Sequence, residues 1–242
     1  MCRRHDHAAT INISRTEVGA SVNYLVGFGP FTSEDDKTVT SDGIDPAIAQ
    51  LGGLIEGYYP TASEYSSAQI DLTSSASLAY DRGFGSIAPS IYGSLSSSIM
   101  FSLMVNRGVA YGEAPASDNF VAYEFEVIGG PVDYSLSYNS DLFGFLRINI
   151  FGGPRVLNMA ATGQQNGTLQ AGAYSLLMFH NLDATETDGN RNGNSDFAMT
   201  FDDSVTIIGP STVPLPAGVL LFGSGLLALV GWRRVQGRTS RT

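Results

Sequence analysis

Cysteine and lysine are nearly absent from this sequence. Cys2 is the only cysteine among 242 residues, so an internal disulfide cannot form and a disulfide-stapled secreted scaffold is excluded. Charged residues make up 15% of the chain, against roughly 25% in an average soluble domain. The formal net charge is -10 and Lys37 is the only lysine. These values argue against a nucleic-acid partner, because phosphate binding needs basic patches.

Sequence signatures of catalysis are also missing. The chain has no P-loop, no dinucleotide-binding glycine motif and no G-x-S-x-G nucleophile elbow. Of its three histidines, His5 and His7 lie near the start, and His180 is interpreted as capping the end of a strand. Glu124 and Glu126 stand at strand spacing, so a hydrolase using two carboxylates stays an alternative, although no pair can be selected. We therefore predict that the protein is not an enzyme.

Glycine, by contrast, is abundant, with 28 residues that indicate many turns. Apolar and polar side chains alternate over 119–128 and over 132–138, which predicts two half-buried strands joined as a hairpin by residues 129–131. Further strands are predicted at 10–14, 22–28, 69–73, 77–80, 99–105, 145–151, 155–159, 174–180, 197–201 and 204–208. Asp45 and Pro46 predict the start of one short helix over 47–51. The pattern indicates an all-β fold, an antiparallel β-sandwich over residues 10–209.

Two local patterns refine this prediction. Residues 169–176 resemble the strand entry of many extracellular jelly-roll modules, with a leucine, a glycine and a strand tyrosine, which favours a jelly-roll-like sandwich. Residues 188–196 resemble the first half of a calcium-binding loop, with candidate ligands Asp188, Asn190, Asn192 and Asp196. Met199 replaces the bidentate glutamate of an EF-hand, so only weak calcium affinity, about 10⁻⁴ to 10⁻³ M, is expected. An ordinary polar loop is the alternative.

The C-terminal end differs sharply from the rest of the chain. Residues 217–232 contain no charge and are almost entirely apolar or glycine, which predicts one short transmembrane helix over 218–232. Trp232 is an interfacial anchor, and Arg233 and Arg234 place the basic tail, 233–242, in the cytoplasm. That tail carries four of the 13 basic residues and no acid, so the other 232 residues have a net charge of -14. Pro214 and Pro216 keep the preceding segment extended and accessible to a protease.

The last 30 residues resemble the PEP-CTERM sorting signals of exported bacterial proteins, in their VPLPA variant. The motif comprises Val213, Pro214, Leu215, Pro216 and Ala217 within a 210–217 linker, followed by the apolar span and the arginines. The resemblance implies a Gram-negative, polysaccharide-producing source and recognition by an exosortase, a membrane protease that acts near the motif. It also implies anchoring in the inner membrane before processing, and a location at the cell surface or outside the cell afterwards.

A sorting tail requires export, yet residues 1–12 contain no apolar stretch of the kind found in signal peptides. We therefore expect residues 1–9 to be the remnant of a leader whose apolar part is encoded upstream. The main functional prediction is an exported surface or extracellular-matrix protein, structural or adhesive in role. The alternative is a carbohydrate-binding β-sandwich module of the exopolysaccharide matrix, whose sugar binding depends on calcium if residues 188–196 bind the ion.

Overall fold

A computed structural model describes residues 9–28, 31–59, 64–83, 87–105, 110–141, 143–151, 153–183 and 189–210. Within these ranges the chain forms strands, turns and bends, with no helix. The strands are β1 (Thr10–Phe28), β2 (Phe31–Asp42), β3 (Ala47–Tyr59), β4 (Glu64–Asp81), β5 (Ser90–Val105), β6 (Ala110–Ile128), β7 (Val132–Ser140), β8 (Phe143–Ile150), β9 (Arg155–Met159), β10 (Gly163–Leu169), β11 (Gly172–Asp183), β12 (Gly189–Phe201) and β13 (Thr206–Ile208).

The strands form two sheets. The first has the order β13-β1-β6-β11-β8-β9, and β2 pairs with the part of β1 that β13 leaves free. The second has the order β10-β7-β12-β5-β4-β3. Neighbouring strands are antiparallel, except that β13 runs parallel to β1. The prediction of an all-β protein built from antiparallel sheets is confirmed.

The core lies between the two sheets and follows from the two-residue alternation of the strands. In β6, Val121, Tyr123, Phe125 and Val127 are buried, while the residues between them lie on the outer face. The same alternation buries the inward residues of β5 and β12, so both sheets contribute one apolar face. Burial of these faces supplies the main favourable term in folding, at about 25 cal/mol per Å² of apolar surface.

Two local predictions are wrong. The helix expected at 47–51 is instead the start of β3, where Ala47 and Ala49 point inward and pair with β4. The hairpin expected across 129–131 is instead a crossover, because β6 belongs to the first sheet and β7 to the second. β6 already pairs with β1 and β11, and β7 pairs with β10 and β12. Pairing β6 with β7 would break one of these strand pairings.

The described strands all belong to a compact unit that ends at Pro210. The sorting motif, the predicted transmembrane helix over 218–232 and the anchors Trp232, Arg233 and Arg234 lie outside the described residues, as do positions 1–8. Along the described ranges, no helix has the length and apolar character needed to cross a membrane.

Candidate functional site

A polar cluster lies buried between the two sheets. His180 of β11 faces inward beside Asn119 of β6, and opposite them are Ser97 of β5 and Ser195 of β12. Ser74, Ser117 and Ser140 complete the cluster. His180, Asn119 and Ser195 have no exposed surface, so these polar groups depend entirely on one another for hydrogen bonds.

The hydrogen bonds of this cluster run in one direction through a neutral imidazole. Ser117 Oγ donates to Ser97 Oγ over 2.7 Å, and Ser97 Oγ lies 2.8 Å from His180 Nε2. Nδ1 of His180 then lies 3.1 Å from Ser195 Oγ, which is 2.6 Å from Ser140 Oγ. The Nδ1–H tautomer satisfies this chain, since Nε2 accepts on one side and Nδ1 donates on the other.

Asn119 fixes the protonation state of His180. Its Nδ2, which has two hydrogens, lies 2.9 Å from His180 Nε2, 2.9 Å from Ser97 Oγ and 3.1 Å from Ser96 O, while Oδ1 accepts from Ser74 Oγ. An amide nitrogen is only a donor, so it opposes a proton on Nε2. Burial lowers the pKa of His180 to about 4, and the negative charge of Asp118 offsets this only in part.

The cluster brings a serine and a histidine together without forming a catalytic site. Ser97 and Ser117 are only 1% exposed, so no substrate reaches these hydroxyls while the sheets are packed. Asp118 is the carboxylate whose charge acts on the pKa of His180. It lies on the outer face of β6 and accepts a hydrogen bond from Asn181 Nδ2 at 2.7 Å. It therefore does not orient the imidazole as a triad carboxylate would. The hydrogen bonds of the cluster join β6 and β11 of the first sheet to β5 and β12 of the second sheet.

The outer face of the second sheet is lined by small polar side chains. Rows of residues in register cross it at right angles to the strands, and one row contains Ala79, Tyr92, Ala198, Ser137 and Gln164 from β4, β5, β12, β7 and β10. The adjacent row contains Ser77, Ser94, Asp196 and Asn139. This part of the face is rich in hydroxyl and amide groups around the ring of Tyr92, while exposed apolar side chains of the same sheet, Met100, Ile48 and Leu54, lie in other rows.

The predicted calcium ligands are placed on this same face. Asn190, Asn192 and Asp196 lie on β12 with exposed side chains, and Asp188 lies outside the described residues. The loop expected at 188–196 is thus strand from Gly189 onward, because Gly193 and Ser195 are small enough to face inward against β5. The Cα atoms of same-face neighbours on a strand are about 6.6 Å apart. Among the described residues, no group of three or more His, Cys, Asp or Glu side chains could hold a metal.

Calcium binding stays a prediction that titration calorimetry of the full chain would decide. We expect weak heat release with a dissociation constant of about 10⁻⁴ to 10⁻³ M, lost in Asp188→Ala. Asp133→Ala, which removes an acid elsewhere on the same face, is the matched control and should leave the titration unchanged. Flat traces for the unmodified chain would refute calcium binding.

An open depression of about 680 Å³ lies near the β7–β10 edge of the second sheet. Thr168 Oγ1 donates to Asp133 Oδ1 over 2.5 Å, and the backbone N–H of Ser204 donates to Asp202 Oδ1 over 3.0 Å. The latter bond lowers the pKa of Asp202. Both carboxylates are thereby satisfied by local partners, which is typical of a solvated surface and not of a strained catalytic pair.

The outer face of the first sheet carries an aromatic row. Phe120, Phe179 and Phe145 are in register on the adjacent strands β6, β11 and β8. The rings of Phe145 and Phe179 stack at 5.5 Å, and the guanidinium of Arg147 lies 3.7 Å from the centre of the Phe145 ring. Phe120 covers Gly19, whose missing side chain leaves room for the ring. These aromatic faces are occupied by one another, by Arg147 and by the backbone.

Comparisons with known proteins leave the function open. No protein-family profile matches this chain, and no curated protein matches it. Among solved structures, it is similar to a GH31 alpha-xylosidase from Xanthomonas citri, at 9% sequence identity and a TM-score of 0.22. The match covers 71% of this chain and 31% of the xylosidase chain. A similarity at that level carries no argument about activity, so function is argued from the chain's own residues.

Proposed function

We propose that this chain is an exported bacterial surface or extracellular-matrix protein with a structural or adhesive role. The observation that carries the proposal is the tripartite C-terminus, in which Val213–Ala217 precede an apolar run and an arginine pair. An exosortase-type membrane protease is the partner that such a tail would engage. The protein would be anchored in the inner membrane by its C-terminal helix before processing, and would then reach the cell surface or the medium.

The body supports a non-catalytic role. Its described histidine is buried and neutral, and its exposed carboxylates at the open depression are held by local hydrogen bonds. The two sheets build a large apolar core, which is what a stable domain outside the cell needs when its single cysteine allows no internal disulfide. A structural or adhesive protein requires such a stable body and an exposed surface, and needs no reactive group.

We also infer a jelly-roll-like arrangement. Successive strands from β5 to β8 alternate between the two sheets, and so do those from β10 to β13. In the second sheet the order β5-β12-β7-β10 places strands that are distant in sequence side by side, as Greek-key connections do. This topology supports an extracellular module of the kind that the 169–176 segment resembles.

Replacing both motif prolines tests the proposal. Pro214→Ala/Pro216→Ala should relax the extended segment and block processing, so that the full-length chain accumulates in the membrane fraction of a host that has the cognate protease. Immunoblots of membrane, surface and medium fractions measure the result. Ser211→Ala/Thr212→Ala, just outside the motif, is the control and should be processed normally. Unchanged size and location of the proline variant would contradict a sorting function.

A further inference from the structure

Tyr92 is an exposed aromatic side chain on the outer face of the second sheet, beside a row of polar residues. It is 37% exposed and stands in register between Ala79 of β4 and Ala198 of β12. These two methyl groups are too small to cover the ring. A depression of about 300 Å³ results, lined also by Ser77, Ser94 and Asp196.

The ring is held in place along its own strand. The hydroxyl of Tyr92 donates to Ser90 Oγ over 2.8 Å, and Ser90 Oγ donates to the carbonyl of Ala88 over 2.8 Å. A bond between side chains two residues apart requires the ring to lie back along β5, over the sheet. The ring therefore leans toward Ser90, and part of it stays exposed to solvent. Such pre-orientation reduces the entropy lost when a ligand stacks on the ring.

A hydrogen bond from the core supports two of the strands that carry the depression. Tyr123, on the opposite sheet, places its hydroxyl 2.8 Å from Ala79 O and 2.7 Å from Tyr92 O, and so links β4 and β5 beneath the ring. Burial raises the pKa of Tyr123, which keeps this hydroxyl a donor at any physiological pH. The site is thus built on two cross-linked strands and not on a loop.

A row of hydrogen-bonding groups runs beside the ring. Ser94 follows Tyr92 by two residues on the same strand, so their Cα atoms are about 6.6 Å apart. Ser94 is in register with Asp196. Asn139 Nδ2 lies 3.3 Å from Asp196 Oδ1, which positions the carboxylate next to an amide. An apolar ring face flanked by a hydroxyl, a carboxylate and an amide matches a sugar ring, which has an apolar C–H face and hydroxyls at its edge.

We propose that this part of the second sheet binds an uncharged polysaccharide chain, with one pyranose ring stacked on Tyr92. Hydroxyls of the sugar hydrogen-bond to Asp196, Asn139 and Ser94. Among the described residues that line the depression, Asp196 carries the only charge. Because these described lining residues supply a negative charge and no cation, the depression repels uronic acids and sulfated sugars, so the ligand is a neutral glycan. Neighbouring rings of the chain would lie along the row toward Ser137 and Gln164.

The aromatic row of the first sheet does not offer an equivalent site. Phe145 contacts both Phe179 and the guanidinium of Arg147, and Phe120 lies against Gly19. These rings lack a hydrogen-bonding group of their own, and their faces are already in contact. Tyr92, by contrast, is 37% exposed, carries a hydroxyl and stands beside a polar row.

Calorimetric titration of the full chain tests the site. The protein is held in a detergent without a sugar head group, in EDTA, and is titrated with cellohexaose, xylohexaose and mannohexaose, and with an oligoglucuronate of similar length. We expect at least one neutral hexasaccharide to bind more tightly than the oligoglucuronate. Tyr92→Ala should weaken that binding by about tenfold or more, because a lost stacking contact is worth roughly a factor of ten.

Three further variants make the test specific. Tyr92→Phe retains the ring and should bind within a few-fold of the unmodified chain. Ala198→Gln leaves Tyr92 in place but fills the depression, and should weaken binding as Tyr92→Ala does. Phe151→Ala removes a 62% exposed ring from the other sheet and should have no effect. Absence of binding by every neutral glycan, preference for the oligoglucuronate, or equal binding by Tyr92→Ala would overturn the proposal.

Discussion

Lowering the pH from 7 to 4 is expected to reduce the free energy of unfolding by about 3 kcal/mol through His180 alone. The pKa of His180 is about 4 in the folded protein, against 6.5 in an unfolded chain. Between pH 6.5 and pH 4 the unfolded chain binds a proton at His180 that the folded protein does not bind. The contribution is therefore complete above pH 6.5, falls as the pH drops toward 4, and changes no further below that value.

His180→Gln isolates this effect from the titration of carboxylates. Glutamine stays neutral and keeps an acceptor that can face Ser97 and Asn119, although it loses the Nδ1 bond to Ser195. The variant should be less stable than the unmodified chain at pH 7 but should lose less stability on acidification. Urea unfolding at half-unit pH steps measures both slopes. Parallel curves for the two proteins would show that His180 is not held neutral.

Gly93→Ala is expected to destabilise the body by about 1 to 3 kcal/mol, the usual cost of overpacking a core. Gly93 faces inward from β5, and a methyl group there would stand 2.4 Å from Phe197 Cε1 and 3.1 Å from Val121 Cγ1. Phe197 is buried and packs edge-on against Tyr123, with ring centres 6.2 Å apart, so it has little room to retreat. Thermal unfolding followed by circular dichroism should show a lower midpoint.

A matched glycine controls for the change in backbone entropy. Gly53 lies within β3, and a methyl group there would meet nothing within 4 Å. Gly53→Ala should therefore be neutral or slightly stabilising. The double variant Gly93→Ala/Phe197→Leu should recover part of the stability lost in Gly93→Ala, because the smaller side chain yields space. Equal midpoints for Gly93→Ala and Gly53→Ala would refute the close approach.

Strand alternation made the fold class predictable, and its limits explain the errors. Val121, Tyr123 and Phe125 identify an inward face of β6 by period alone. The partner of that strand is not encoded locally, so the turn residues at 129–131 predict a hairpin although they connect two sheets. Likewise, Pro46 and the small residues after it fit a helix start, but pairing along 13 residues of β4 outweighs that local preference.

The buried cluster could have been found by asking which polar residues share the inward period. Asn119 is in phase with Val121, Ser195 with Phe197, and His180 with Leu176 and Met178. Sequence reasoning placed His180 at a strand end because the strand was expected to stop there, whereas β11 continues to Asp183. That these residues meet depends on the pairing of four strands, which a single sequence does not disclose.

The parallel pairing of β13 with β1 determines how the body would respond to mechanical load. Only Thr206–Ile208 pair with residues 10–12, and the N–H of Thr206 donates to the carbonyl of Ala9 over 3.0 Å. A pull applied beyond Pro210 reaches this three-residue ladder before any other strand of the first sheet. The ladder would detach first and lengthen the chain, while the long β1–β6 pairing stays intact. A protein exposed to flow at a cell surface would thereby yield first in a small step that uncovers Ile207, before the longer strand pairings are strained.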